Sequence, residues 1–248
     1  MSLLAVSGLC KRFGGVVAAE DVSFRLDPGE VVAMIGPNGA GKTTIFNMIG
    51  GQLRPDAGDI VLQERSIAGL PPRAIWRRGV GRTFQIAATF ASMTLAENVQ
   101  MALISRHRRL YGLWPPAGRL YRDAALSLLE RVGMHDQAER PCGLLAYGDV
   151  KRVELAIALA NAPKLLLMDE PTSGMAAEER LSLMRLIADI VSEEAISVLF
   201  TEHDMDVVFG HARRIIVLER GAVVAEGTPD KVRADPHVQE IYLGGGGA

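Results

Sequence analysis

Five apolar residues in a row, Val31-Val32-Ala33-Met34-Ile35, run directly into Gly36-Pro37-Asn38-Gly39-Ala40-Gly41-Lys42-Thr43-Thr44. An apolar run without polar alternation predicts a strand buried on both faces, as in a parallel sheet covered by helices. The following turn fits G-x-x-x-x-G-K-[ST], in which small residues let successive backbone N–H groups converge on a polyphosphate. A helix is expected from Lys42 to about Gly50, and its N-terminus favours an anion through free N–H groups and the positive dipole end. Lys42 then reaches the outer phosphates as a point charge, and the Thr43 hydroxyl is placed to ligate a bridging Mg²⁺. The alternative is a glycine-rich turn with a chance lysine, disfavoured because strand, loop and helix appear in the required order. The expectation is binding of a nucleoside triphosphate.

The remaining chain bounds the partners. At 248 residues and 48% hydrophobic content it is long enough for one substantial core, with room for a smaller subdomain. A net charge of -2 argues against nucleic acid held by bulk electrostatics. Cys10 and Cys142 lack disulfide or metal spacing and suggest a reduced compartment. The start lacks a basic segment followed by a long apolar one, and no run of about 18 apolar residues occurs. The expected location is cytoplasmic, with membrane contact made through a partner.

Residues 3–9, 22–26 and 60–62 read as strands, so the first part is mostly β with one phosphate-binding helix. Between them Phe13 is either a core residue or a platform for a base, and spacing alone favours the core. From about residue 93 to 161 the pattern turns helical, with helices from Thr94, over 122–132 and over 147–161. The basic run Arg106-His107-Arg108-Arg109 and the aromatics to Pro116 read as a solvated loop, ahead of contact with lipid, a partner or nucleic acid. An α/β rhythm then returns: strand 165–168 ending in Asp169-Glu170, helix 176–191, strand 196–200 ending in Thr201-Glu202-His203, a helix after Asp204, and a hairpin around Arg220-Gly221. Residues 244–248 read as a flexible tail.

In an open α/β sheet ligands lie beyond the carboxyl ends of the strands, so the glycine-rich loop, Asp169-Glu170 and His203 are expected to share one site. Asp169 suits a carboxylate that holds Mg²⁺, and Glu170 one that orients or deprotonates the attacking water. A lone Asp-Glu at a strand end is usually a turn or cap, and a lone histidine there usually structural. Following a phosphate loop, they become a catalytic pair and a γ-phosphate sensor.

Taken together, the phosphate loop, Gln85 in Gly81-Arg82-Thr83-Phe84-Gln85, the helix start Leu145-Ala146-Tyr147-Gly148-Asp149, the strand ending at Glu170, and His203 resemble the nucleotide-binding subunits of ABC transporters. The resemblance spans residues 4 to about 243 and is closest to the ATPases of branched-chain amino acid importers, through Arg82-Thr83-Phe84-Gln85, Glu202-His203-Asp204-Met205 and Ala225-Glu226-Gly227-Thr228-Pro229. It implies an α/β P-loop NTPase core, a mostly parallel sheet flanked by helices, with an N-terminal antiparallel β part and an inserted helical subdomain. The domain would cover residues 1–243, with core in 1–92 and 162–243 and helices in about 93–161. The implied cofactors are ATP and Mg²⁺. Phe13 would stack on adenine, and Gln85 would touch Mg²⁺ or the attacking water. Permease subunits, a second ATPase subunit and, indirectly, an extracellular or periplasmic solute-binding protein would be the partners, at the inner face of the membrane, with no nucleic acid.

Each ATP would lie between one chain's phosphate loop and its partner's signature helix. That signature usually reads Leu-Ser-Gly-Gly-Gln, and here Ala146, Tyr147 and Asp149 depart from it. Ala146 lacks a hydroxyl whose charge-assisted bond is worth about 1.5–3 kcal/mol. Asp149 brings an acid toward a triphosphate, with Lys151 and Arg152 expected to offset it in part, and Ala176 stands where the family commonly carries an aspartate. One solution is pairing with a more regular subunit. The competing functions are a soluble ABC-type ATPase acting on nucleic acid or ribosomes, disfavoured by the slight acidity, and a nucleotide-sensing adaptor, disfavoured by Glu170 and His203.

Overall fold

The computed structural model describes residues 2–83, 89–107 and 120–243. In chain order the strands are β1 (Leu4–Phe13), β2 (Val16–Leu26), β3 (Val31–Ile35), β4 (Ala57–Leu62), β5 (Arg65–Ser66), β6 (Val80–Thr83), β7 (Leu165–Asp169), β8 (Ser197–Thr201), β9 (Arg214–Glu219) and β10 (Ala222–Gly227). The α-helices are α1 (Lys42–Ile49), α2 (Pro72–Trp76), α3 (Leu95–Arg106), α4 (Arg122–Arg131), α5 (Tyr147–Leu159), α6 (Ala177–Glu194), α7 (Met205–His211), α8 (Pro229–Ala234) and α9 (Pro236–Leu243).

Two sheets result. An antiparallel one runs β2-β1-β4-β5, and a six-stranded one runs β10-β9-β3-β8-β7-β6. In the second, β9, β3, β8, β7 and β6 pair in parallel and only β10 is antiparallel. The apolar runs behave as strands buried on both faces: Val32 and Met34 of β3, Leu165 and Leu167 of β7, and Leu199 of β8 face one core cluster. Their neighbours Ala33, Ile35, Leu166, Met168, Val198 and Phe200 face the other. The second cluster continues into the helical segment through Leu95, Ala96, Val99 and Val153.

Local chemistry explains the helix starts. Thr94 caps α3 in a reciprocal box, accepting from Glu97 N while Glu97 accepts from Thr94 N at 2.8 Å. Asp204 caps α7 by accepting from the Asp206 and Val207 N–H groups. Just before α3, the buried Asn98 amide holds the chain at Phe90 from both sides, accepting from Phe90 N at 2.8 Å and donating to Phe90 O.

Several sequence expectations change. β1 and β2 are longer than the runs 3–9 and 22–26, because their outer ends form a hairpin that pairs Phe13 with Val16. The core assignment for Phe13 is corrected: on this hairpin tip it is 47% exposed, with the Lys11 ammonium 5.6 Å over its ring. The helix expected over 147–161 ends at Leu159, and that over 176–191 covers Ala177–Glu194. The short strand β6 and the helices α2, α8 and α9 lacked a readable period. Most of the basic and aromatic segment at 106–116, and Gln85, lie outside the described residues.

Gly36 and Gly41 of the phosphate loop are there for space, whereas Gly39 has open surroundings and a positive φ of 81°. At Gly41 the backbone adopts φ +104°, and a Cβ would stand 2.2 Å from the Ala18 carbonyl oxygen. Gly41→Ala is expected to cost at least about 1–3 kcal/mol of stability, visible as a lowered midpoint in thermal unfolding together with weaker nucleotide binding.

Candidate active site

β3, β8 and β7 are neighbours in the sheet, so the loop after Ile35, Thr201 and Asp169 end side by side. At this edge a cleft of about 200 Å³ is lined by residues 38–44 of the loop, by Glu170 and His203, and by Val16, Val17 and Ala18 of β2. The sequence grouped the loop with Glu170 and His203 correctly; it missed the β2 wall. Its only trace in sequence is the small residue Ala18, whose carbonyl lies where any Gly41 side chain would go.

Lys42 is buried at the start of α1, and its ammonium donates to the carbonyls of Gly36 at 2.6 Å and Pro37 at 3.2 Å. Burial lowers its pKa, partly countered by the negative Glu170 and Asp169. The Lys42 charge and the two carboxylates therefore sense one another across the cleft.

The carboxylates are organised by a residue that sequence reasoning passed over. The Thr201 hydroxyl, fully buried, donates to Asp169 Oδ1 at 2.7 Å and accepts from the Glu170 backbone N–H at 3.0 Å. One hydroxyl thus fixes both acids, and Glu170 turns the chain there with a positive φ of 48°. Its side chain meets His203, with Nε2 and Oε1 2.8 Å apart. Next to them the buried Glu202 accepts from the Thr172 N–H and hydroxyl and from His203 N, which ties the loop after Glu170 to the end of β8. Thr201→Val is expected to leave a buried carboxylate oxygen without its donor, at about 1–3 kcal/mol. Turnover should fall with little change in nucleotide affinity, measured by separate steady-state and equilibrium titrations.

Asp169 Oδ2 stands 3.8 Å from the Arg82 guanidinium, an ion pair too long for a hydrogen bond. Arg82 itself is half-buried and donates to Asn47 Oδ1 and Gln52 Oε1. Burial lowers its pKa, and Asp169 raises it. A carboxylate and the exposed Thr43 hydroxyl are hard oxygen donors of the kind that suits Mg²⁺.

The signature residues lie elsewhere. Ala146, Tyr147, Gly148 and Asp149 open α5, and Gly148 and Asp149 line a separate depression with Met175, Glu178 and Glu179. A Cβ on Gly148 would meet only ordinary contacts of 3.4–3.5 Å, so packing within this chain does not demand a glycine there. Lys151 is buried and donates to Glu154 at 3.0 Å, while Arg152 donates to the Val132 carbonyl and Ser182 Oγ.

A parallel α/β sheet with a glycine-rich loop entering a helix at its Lys-Thr, and an acid pair at the end of another strand of that sheet, defines a nucleotide-binding P-loop domain. The ABC transporter family model matches residues 19–173, and a model of the branched-chain amino acid ATP-binding cassette transporters matches residues 222–248. The chain belongs to the ATP-binding cassette family of ABC transporters, as an ATP-binding, ATP-hydrolysing subunit. It is 42% identical to the high-affinity branched-chain amino acid transport ATP-binding protein LivG of Salmonella typhimurium, and 42% identical to BraF of Pseudomonas aeruginosa, covering 98% of each chain in both cases. Among solved structures it is similar to the ADP conformation of an ATP-binding cassette of an ABC transporter, with TM-score 0.88, 31% identity, and 98% and 99% of the two chains covered. It is also similar to a dimeric cassette bound to ADP and Pi, with TM-score 0.78, 27% identity, and 91% and 98% covered. No helix among the described residues is long and apolar enough to cross a membrane.

Proposed function

We propose that this chain hydrolyses ATP to energise import of branched-chain or related amino acids, as one nucleotide-binding domain over residues 1–243. It would work at the inner face of the membrane with permease subunits, a second cassette and, indirectly, a solute-binding protein. The observation that carries the catalytic part is the single cleft in which the Lys42 loop, Glu170 and His203 meet. The amino-acid specificity rests on the likeness to LivG and BraF.

In this reading the backbone amides of residues 36–44 and the Lys42 ammonium hold the polyphosphate, and Phe13 on its exposed hairpin tip offers a stacking face for adenine. Glu170 orients the attacking water and receives its proton, while His203, bonded to Glu170, presents its ring toward the γ-phosphate. Thr201 keeps both acids in place. Mg²⁺ would be held by Thr43, Asp169 and Gln85 and would neutralise charge on the phosphates when bound. The α5 N-terminus, Ala146 to Asp149, would complete the partner's site, and its altered signature favours a heterodimer with a more regular cassette. Nucleic acid is not among the partners.

The test is reconstitution in vesicles with permease subunits, a second cassette and a solute-binding protein that co-purify with this chain from membranes. ATP-dependent leucine uptake, lost with Glu170→Gln, is the expected result; ATP turnover without uptake of any branched-chain amino acid overturns the transport reading. If the purified chain alone reaches full turnover with strong positive cooperativity, the heterodimer idea fails. Retention of nucleic acid on a filter at physiological salt would favour the soluble alternative.

A further inference from the structure

Beside the phosphate loop, on the sheet face opposite α1, a cavity of about 240 Å³ lies between the end of β3 and the helices α7, α8 and α9. Ile35, Met205, Phe209 and Val238 give it an apolar interior. Its charged group is Arg233, stacked 4.3 Å over the Phe209 ring. Among the described residues this guanidinium has no carboxylate partner. Pockets for drug-sized ligands run to about 300–1,000 Å³, so this one suits a smaller molecule. Gln239, the other polar group of the mouth, donates its amide N–H to the Arg233 carbonyl at 2.9 Å. An aliphatic body ended by one anion matches this lining, since the Arg233 cation at an apolar mouth attracts a carboxylate and repels an ammonium.

The cavity also touches the nucleotide site. Ile35 is the last residue before the loop, and the Tyr242 hydroxyl is buried against the Gly36 backbone, close enough to favour its ionised form yet short of a well-formed hydrogen bond. Burial outweighs that contact and pushes the phenol up to about 12, so Tyr242 stays neutral. The Gly36 carbonyl is in turn held by Lys42. A molecule filling the cavity would therefore press on Ile35 and Tyr242, and through Gly36 on the group that grips the phosphates.

We propose that the cavity between β3, α7, α8 and α9 binds a small aliphatic carboxylate and couples its occupancy to nucleotide affinity, with Arg233 holding the carboxylate and Tyr242 acting as a positioning residue for the phosphate loop. Coupling of this kind is reciprocal: whatever factor the acid imposes on nucleotide affinity, the nucleotide imposes on the acid. This goes beyond the transport reading and does not need turnover.

Calorimetric titration of the full chain with 4-methylpentanoate tests it. One saturable site is expected, weakened at least tenfold by Arg233→Glu and restored by Arg233→Lys. Arg233 is exposed, so neither change threatens the fold. The uncharged 4-methyl-1-pentanol and the zwitterion L-leucine should each bind at least tenfold more weakly. Nucleotide affinity, read separately with a fluorescent ATP analogue, should change at least threefold when the acid is present, and Tyr242→Phe should abolish that change at acid concentrations that saturate the variant's site. No saturable binding, indifference to Arg233→Glu, or equal binding of the alcohol or of leucine overturns the site. Unchanged nucleotide affinity overturns the coupling. Failure of ATP to bind at all would instead count against the proposed function.

Discussion

Glu170→Gln is expected to lower ATP turnover by about 10²–10⁴-fold, the range ascribed to a positioned general base, while nucleotide affinity stays within a few-fold of the parent. The amide keeps the shape of the carboxylate and can still meet His203 Nε2, 2.8 Å away in the parent, but cannot accept a proton from water. The Thr201 hydroxyl and carbonyl both accept from the Glu170 backbone N–H, so the strained turn at this residue does not depend on the side chain. Phosphate release and equilibrium nucleotide binding, measured on the same preparation, separate the two effects. A loss of less than tenfold in turnover would remove Glu170 from the role of base.

Lys42→Ala is expected to act on the other half of the cycle. Each charge-assisted contact is worth about 1.5–3 kcal/mol, so affinity for ATP should drop by about 10²-fold or more, with turnover lost alongside. Lys42→Arg should rescue little, because the site around Lys42 is buried and shaped for a compact ammonium bridging two carbonyls, and a planar fork has different reach. Parental affinity in the alanine variant, read by calorimetry with Mg²⁺, would remove Lys42 from phosphate binding.

What could be read in advance followed the strength of the local pattern. The strands at 31–35 and 165–169 were legible because an apolar run with no alternation has one economical home, the middle of a covered parallel sheet, and both lie there. The meeting of the loop with Glu170 and His203 was legible for the same reason, since strand ends in such a sheet share one edge. β6 was not: Val80-Gly81-Arg82-Thr83 carries no period, and its strand state is set by pairing along β7. Phe13 was misread from spacing because aromatics are mostly buried, whereas on the hairpin tip its ring is exposed. Thr201 and Glu202 were visible as letters but silent as to role, because their value lies in reaching across to Asp169 and Thr172 on a neighbouring strand and its following loop. The wall of β2 depends on how the two sheets abut, which no local window contains.

The two-sided covering of β3, β7 and β8 has a consequence for how the molecule comes apart. A strand anchored in both apolar layers cannot be exposed by fraying of either one, so its amide protons exchange with solvent only through opening of the whole molecule. The α3 to α5 region, packed on one layer alone, is free to open at lower cost. Deuterium uptake should therefore be slowest along residues 32–35, 165–168 and 198–200. The bed that carries the phosphate loop, Asp169 and Thr201 would outlast excursions of the helices that carry the signature.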